Sequence, residues 1–188
     1  MKKIILIVIF STCSLFFLTV FAIANDKPSP YEKIYPEIGY KTVVAASNDF
    51  EQHYKEKLEL PLRVPPISFT HNFGRFNDLE GDNNDSFELV YINDHASENH
   101  YKIDIRPIKA KIPKRKKYVL NTYELKNGNE ATFMRISGFN VLVFERGKWQ
   151  YMLSIDKRVS DKVTPEILME IANSIDYPNK KMDRNFCN

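Results

Sequence analysis

Six cations fall within nine residues at Lys109-Ala110-Lys111-Ile112-Pro113-Lys114-Arg115-Lys116-Lys117. Lysine and arginine at that density bind anions: each cation beside a charged surface contributes about 1 kcal/mol, and salt weakens it. Pro113 removes a backbone donor and keeps the run from being a helix. The run is therefore expected as a loop between two strands. Two readings fit it, a docking patch made of Lys109, Lys111, Lys114, Arg115, Lys116 and Lys117, or a solvated connection. The anion would be a lipid headgroup or an acidic wall polymer.

A second cluster is acidic: Asp78, Glu80, Asp82 and Asp85, with Gly81, Asn83 and Asn84 between them. A calcium loop of the EF type needs oxygen donors at positions 1, 3 and 5, glycine at 6 and glutamate at 12. Counting from Asp78 puts Gly81 at position 4, and counting from Asp82 puts Phe87 at position 6. Neither register fits, so a hairpin tip is expected, and its charge could attract the basic run. His95 and His100 flank a turn near Asp94 and Glu98, too few ligands for zinc. His53 and His71 have no partner close in sequence. Ser154-Ile155-Asp156-Lys157 matches S-x-x-K only formally, because that chemistry needs a helix start and this segment reads as a strand end. A wall hydrolase with an unrecognised site would use scattered acids such as Asp104 and Glu124. Trp149 reads as a core anchor. No nucleophile elbow, zinc-protease helix or phosphate loop is present, and nothing calls for a cofactor or a metal.

The elements that would position these residues follow from periodicity. Asn48, with Glu51 three residues on, predicts a capped helix from Asp49 to about residue 57 or 58, placing Phe50, Tyr54 and Leu58 on one face. Pro61 ends it, and residues 60–66 form a stiff proline connector. The period then changes from 3.6 to 2. Strands are expected at 67–71, 87–92, 99–106, 117–125, 130–136, 139–145 and 148–155, with a polar loop over 72–86. Tyr101, Ile103 and Ile105 alternate with Lys102, Asp104 and Arg106, as in a half-buried antiparallel strand. Asn127-Gly128 is a strong hairpin signal, and the last four strands read as a meander. Thr164-Pro165-Glu166 opens a second helix whose apolar stripe is Ile167, Leu168, Ile171, Ala172 and Ile175, with Val163 stapled onto Leu168. The expected fold is α+β: an antiparallel sheet of about six to seven strands, a C-terminal helix on one face and a short N-terminal helix.

Three stretches carry a resemblance: 60-LPLRVP-65, 147-GKWQYML-153 and 164-TPEILMEIANSI-175. Together they resemble an extracytoplasmic domain of unknown function found in Gram-positive secreted proteins, lipoproteins and anti-sigma-factor-like ectodomains. The matching positions are mostly core positions, so the resemblance speaks to fold. What it implies about function is an interaction or sensing module outside the membrane, with no catalytic residues to carry over. Anti-sigma-like relatives carry a cytoplasmic domain before their membrane helix. Here Met1-Lys2-Lys3 is all that precedes the apolar run.

That run, residues 4–24, sets the compartment. Two lysines followed by an uncharged segment hold the N-terminus inside and send the rest across the membrane. As a helix it would span about 32 Å, enough for a bilayer core of about 30 Å. Ala22 and Ala24 form the A-x-A pattern of a signal-peptidase site. Both cleavage after Ala24 and retention as an anchor fit. Cys13 lies inside the apolar run and so is not a lipid-attachment cysteine. The 188 residues then divide into a leader (1–24), a spacer (25–46), one domain (47–177) and a polar tail (178–188). The leader holds two of the 27 cations and none of the 24 acids, which leaves the remainder at +1. Near neutrality and export together argue against nucleic acid. Past the leader only Cys187 remains, so no internal disulfide holds the fold. The functional expectation is a secreted or membrane-tethered, non-enzymatic binding domain at the outer face of the envelope. Its partner would be an envelope protein, an anionic lipid or a wall polymer. A carrier of a small apolar ligand or lipid, held in a cavity between sheet and helix, is one alternative, and a cell-wall-acting enzyme with an unrecognised site is the other.

Overall fold

Alternation of apolar and polar side chains builds the sheet. The computed structural model describes residues 29–79 and 85–175. Seven strands form, β1 (His71–Asn77), β2 (Ser86–Ile92), β3 (Tyr101–Pro107), β4 (Val119–Glu124), β5 (Glu130–Ile136), β6 (Phe139–Arg146) and β7 (Trp149–Asp156). They lie in one antiparallel sheet of order β1-β2-β3-β7-β6-β5-β4. Two meanders, β1–β3 and β4–β7, meet where β3 pairs with β7. The β5–β6 turn shows why the second meander closes tightly. Ser137 at φ 48° and Gly138 at φ 90° are both left-handed, the conformation a two-residue turn needs to follow strand twist.

Among the described residues three helices complete the α+β fold: α1 (Pro30–Glu37), α2 (Val43–Tyr54) and α3 (Pro165–Asn173). The inner face of the sheet buries Leu89, Tyr101, Ile103, Ile105, Leu142, Tyr151, Leu153 and Ile155 against Ala46 and Phe50 of α2 and Leu168 and Ile171 of α3. Val163 is buried in the same core just before α3, where the expected staple would put it. Among the described residues no helix is long and apolar enough to cross a membrane. The leader, the Ala22-Ala24 site, Cys13, Cys187 and the tail lie outside the described residues.

Several expectations need correction. The first core helix starts at Val43 rather than Asp49, because Thr42 caps it by accepting a hydrogen bond from Ala45 N at 3.2 Å. Asn48 is mid-helix, and Glu51 instead accepts from Leu58 N at 3.1 Å, so Leu58 lies beyond the helix end. Part of the segment read as a spacer is folded: α1, capped by Ser29, lies within 25–46, and Tyr31 and Tyr35 pack on the sheet. Residues 67–70 are not a strand. The first strand is His71–Asn77, which apart from His71 lies inside the segment expected as a polar loop. Its apolar members, Phe73 and Phe76, fall on opposite faces, so alternation is weak there.

The sheet's second face is covered as well, in two patches. Tyr31, Tyr35 and Tyr40 cover Phe73, Val90 and Ile92 on one half. On the other half, Tyr118 and Val119 pack on Met134, Val141, Val143 and Met152. Lys102, Asp104 and Arg106 share this face with the covers, and Asp104 is buried.

The chain passes from the second face to the inner one around the β1 edge. Lys41 and Gly74 exchange backbone hydrogen bonds at 2.8 and 2.9 Å, which places α2 directly against Gly74. A Cβ on Gly74 would stand 2.8 Å from the Ala46 Cβ and 3.0 Å from the Val43 Cα. The second of these is backbone and cannot rotate away. Gly74→Ala should therefore destabilise the domain by about 1–3 kcal/mol, read as a lower urea midpoint at unchanged slope.

Candidate functional site

The basic run owes its place to strand order. β3 lies mid-sheet and β4 at the far edge, so the chain between them must cross β7, β6 and β5. It does so on the second face, through single 3-10 turns at Ile108–Ala110 and Lys116–Tyr118. Gln150 of β7 holds the crossing as a strand partner would: Ile112 N donates to its Oε1 at 2.8 Å, and its Nε2 donates to Ile112 O at 3.0 Å. Lys111 reaches Glu145 of β6 at 2.9 Å. Lys114 donates to Glu130 and Thr132 of β5, each at 3.0 Å. The hydrogen bond from Lys114 is the main cause that holds the Glu130 carboxyl below the usual carboxylate range.

The six cations of the run thus separate by role. Lys111 and Lys114 are ties to the sheet, although both remain exposed. Lys109, also exposed, lies at the mouth of a cleft beside Trp149. Arg115, Lys116 and Lys117 form the outward apex. The Lys117 ammonium stands 4.8 Å from the centre of the Tyr118 ring, and no carboxylate among the described residues pairs with Arg115 or Lys116. The run is neither a free loop nor a uniform patch; it is a strap with three cations at one end. Among the described residues, its acidic partners include Glu145 and Glu130 on the sheet.

A second grouping joins residues far apart in sequence. His53, in the last turn of α2, lies between the two ends of the β1–β2 connection. Its Nε2 is 3.3 Å from Asp85 Oδ2, and its Nδ1 is 3.7 Å from Asp78 Oδ2. Asp85 is fully buried, and its other oxygen accepts from Leu79 N at 2.9 Å. The imidazole is held in place by rings: Tyr54 lies edge-on at 4.6 Å and Phe76 at 5.2 Å. Glu80 and Asp82 lie outside the described residues.

The remaining candidates stay apart. His95 is exposed beside Asp94, whereas His100 packs edge-on against Phe139 at 5.5 Å, and burial lowers its pKa. His71 stacks on Phe73 and faces Glu32 at 3.7 Å. Ser154 is in β7 and Lys157 begins a 3-10 turn after it, so the S-x-x-K spacing is not helical. Asp104 and Glu124 are on strands four steps apart, about 19 Å at normal strand spacing, and cannot work as a carboxylate pair. Asp104 is instead held by Arg106 through two hydrogen bonds, at 2.8 and 2.9 Å.

Trp149 is half-buried, not a closed core residue. Its ring meets Phe50 at 4.9 Å and Tyr54 at 4.7 Å, and a cleft opens on each side. One, of about 610 Å³, is lined by Phe50, Leu58, Tyr151, Glu59, Arg146 and Lys148, and the other, of about 510 Å³, by Tyr54, Ile108 and Lys109.

No family model, curated protein or solved structure matches the chain.

Proposed function

We propose that the chain is a non-enzymatic binding domain at the outer face of the cytoplasmic membrane, secreted or tethered by its leader, that docks on anionic lipid headgroups through Arg115, Lys116 and Lys117. The observation that carries this is the strap: a run clamped to β7, β6 and β5 holds three cations outward, so little ordering entropy is lost when they meet a surface. Acidic wall polymer and an acidic envelope protein offer the same chemistry and are the competing partners. The compartment rests on the Lys2-Lys3 leader and its apolar run.

Cosedimentation with vesicles containing anionic lipid, at low and high salt, tests the reading. Three cations at about 1 kcal/mol each predict that the triple change of Arg115, Lys116 and Lys117 to Ala weakens binding by about a hundredfold at low salt. High salt should do the same to the unaltered chain. Unchanged binding in the triple variant would remove the strap apex as the docking surface.

The clefts beside Trp149 support a second reading, a carrier of a small apolar ligand. They open at the rim of the sheet and include charged side chains, whereas a carrier was expected to hold its ligand between sheet and helix. Native mass spectrometry of freshly purified protein would show a retained lipid if this reading is right.

A further inference from the structure

We propose that His53, Asp78 and Asp85 form a binding site for a divalent transition-metal ion of the zinc class. One imidazole nitrogen and one carboxylate oxygen from each aspartate lie within 4.8 Å of one another. The ligand atoms of a tetrahedral ion bound at about 2.0–2.1 Å stand about 3.3–3.4 Å apart. The 3.3 Å between His53 Nε2 and Asp85 Oδ2 matches one edge of that tetrahedron. Asp78 Oδ2 lies nearest the other ring nitrogen, 3.7 Å from Nδ1, and its 67% exposed side chain has the freedom to swing toward Nε2 as the third ligand. The open side faces a cleft formed by Asp49, Gln52, Lys55 and Phe76, where water would complete the coordination.

Asp85 supplies the energetic reason. It is a fully buried carboxylate, and among the described residues no lysine or arginine forms an ion pair with it; the basic side chain beside it is His53, at 3.3 Å. The Tyr54 hydroxyl lies 3.5 Å from the same Oδ2, at the outer limit for a hydrogen bond. A buried carboxylate without a fixed cation is costly, and a bound ion would remove that cost. The donor set selects the class of ion. One imidazole nitrogen with carboxylates suits zinc and its neighbours, whereas calcium requires six or more oxygens and magnesium retains its waters. The site is independent of the strap and of the docking reading.

The experiment is isothermal titration of the metal-free full-length chain with zinc chloride, with calcium chloride as control, alongside thermal unfolding. One zinc per chain is expected, with a rise in melting temperature that calcium does not reproduce. Asp78→Asn changes an exposed group with no other ion pair among the described residues, so it should fold normally and bind zinc at least about tenfold more weakly. His53→Gln should abolish the site. Failure of zinc to bind would overturn the proposal. Equal zinc affinity in the unaltered chain and both variants would place the ion on another histidine and overturn it equally.

Discussion

Glu88→Ala should cost the domain about 3–5 kcal/mol, the range for removing one member of a buried ion pair. Glu88 is 8% exposed on the second face of β2. Its carboxylate accepts from Tyr40 OH at 2.6 Å, Arg75 Nη2 at 2.7 Å and Lys102 Nζ at 2.8 Å. Without it, Arg75 and Lys102 lose the carboxylate they share, and Lys102 keeps only Asp104 Oδ2 at 4.0 Å. Arg75 also donates to Ile38 O at 3.1 Å and lies over the Tyr40 ring, so the loss would spread to the chain leaving α1. Hydrogen exchange should therefore quicken first around residues 38–42. Glu88→Gln, which keeps the shape but not the charge, should lose roughly half as much.

The same residue sets a pH dependence. Burial alone would raise the Glu88 carboxyl, but the hydrogen bonds from Lys102, Tyr40 and Arg75 outweigh it and hold the group at about 2 against an ordinary 4.5. The folded value lies below the unfolded one. The stabilisation, about 3 kcal/mol, is therefore complete above pH 4.5 and is lost as pH falls through about 2. Urea midpoints measured from pH 6 down to pH 2 should fall more steeply for the unaltered chain than for Glu88→Gln. Parallel curves would mean that the hub contributes nothing specific. Burial and the Glu88 hydrogen bond raise the Tyr40 pKa, so its phenol stays protonated across this range.

Tyr151→Ala should cost about 3–5 kcal/mol through a different cause, an emptied volume in the core. Tyr151 is 1% exposed, lies mid-strand in β7, and stacks on Phe144 of β6 with ring centres 5.2 Å apart and planes 7° apart. Its hydroxyl donates to Glu59 O at 3.0 Å and so ties the connector after α2 to the sheet. Tyr151→Phe removes the hydroxyl with its hydrogen bond to Glu59, keeps the ring, and should cost about 1 kcal/mol. Proteolysis near residues 55–60 should nevertheless increase in Tyr151→Phe, because the connector loses its anchor while the core stays filled. Equal losses in the two variants would assign the effect to the hydroxyl and not to the ring.

How well an element could be read depended on how local its cause was. β3 follows from strict alternation, β5, β6 and β7 from apolar-rich runs bounded by Gly-containing turns, and α3 from a proline at its first position and an apolar stripe. β1 was missed because Phe73 and Phe76 break the alternation, and α2 began early because Thr42 competes with Asn48 as a cap. The cations of the strap were legible by composition, but their division into ties and apex was not. That division depends on Gln150, Glu145 and Glu130, which come from three different strands. His53 showed no sign of its partners, since Asp85 is 32 residues away and reaches it only through the β1–β2 register.

Period, turn chemistry and capping act over a few residues, and from them the chain alone determined an antiparallel α+β domain with a four-strand closing meander. The pairing of β3 with β7 was left to tertiary contacts. That one pairing places β4 at the far edge, forces the basic run across the second face and turns an apparently solvent-facing row of charges into a buried network. Each of these outcomes depends on which distant surfaces bury together, a choice that the free energy of the whole chain makes and that no short stretch of it encodes.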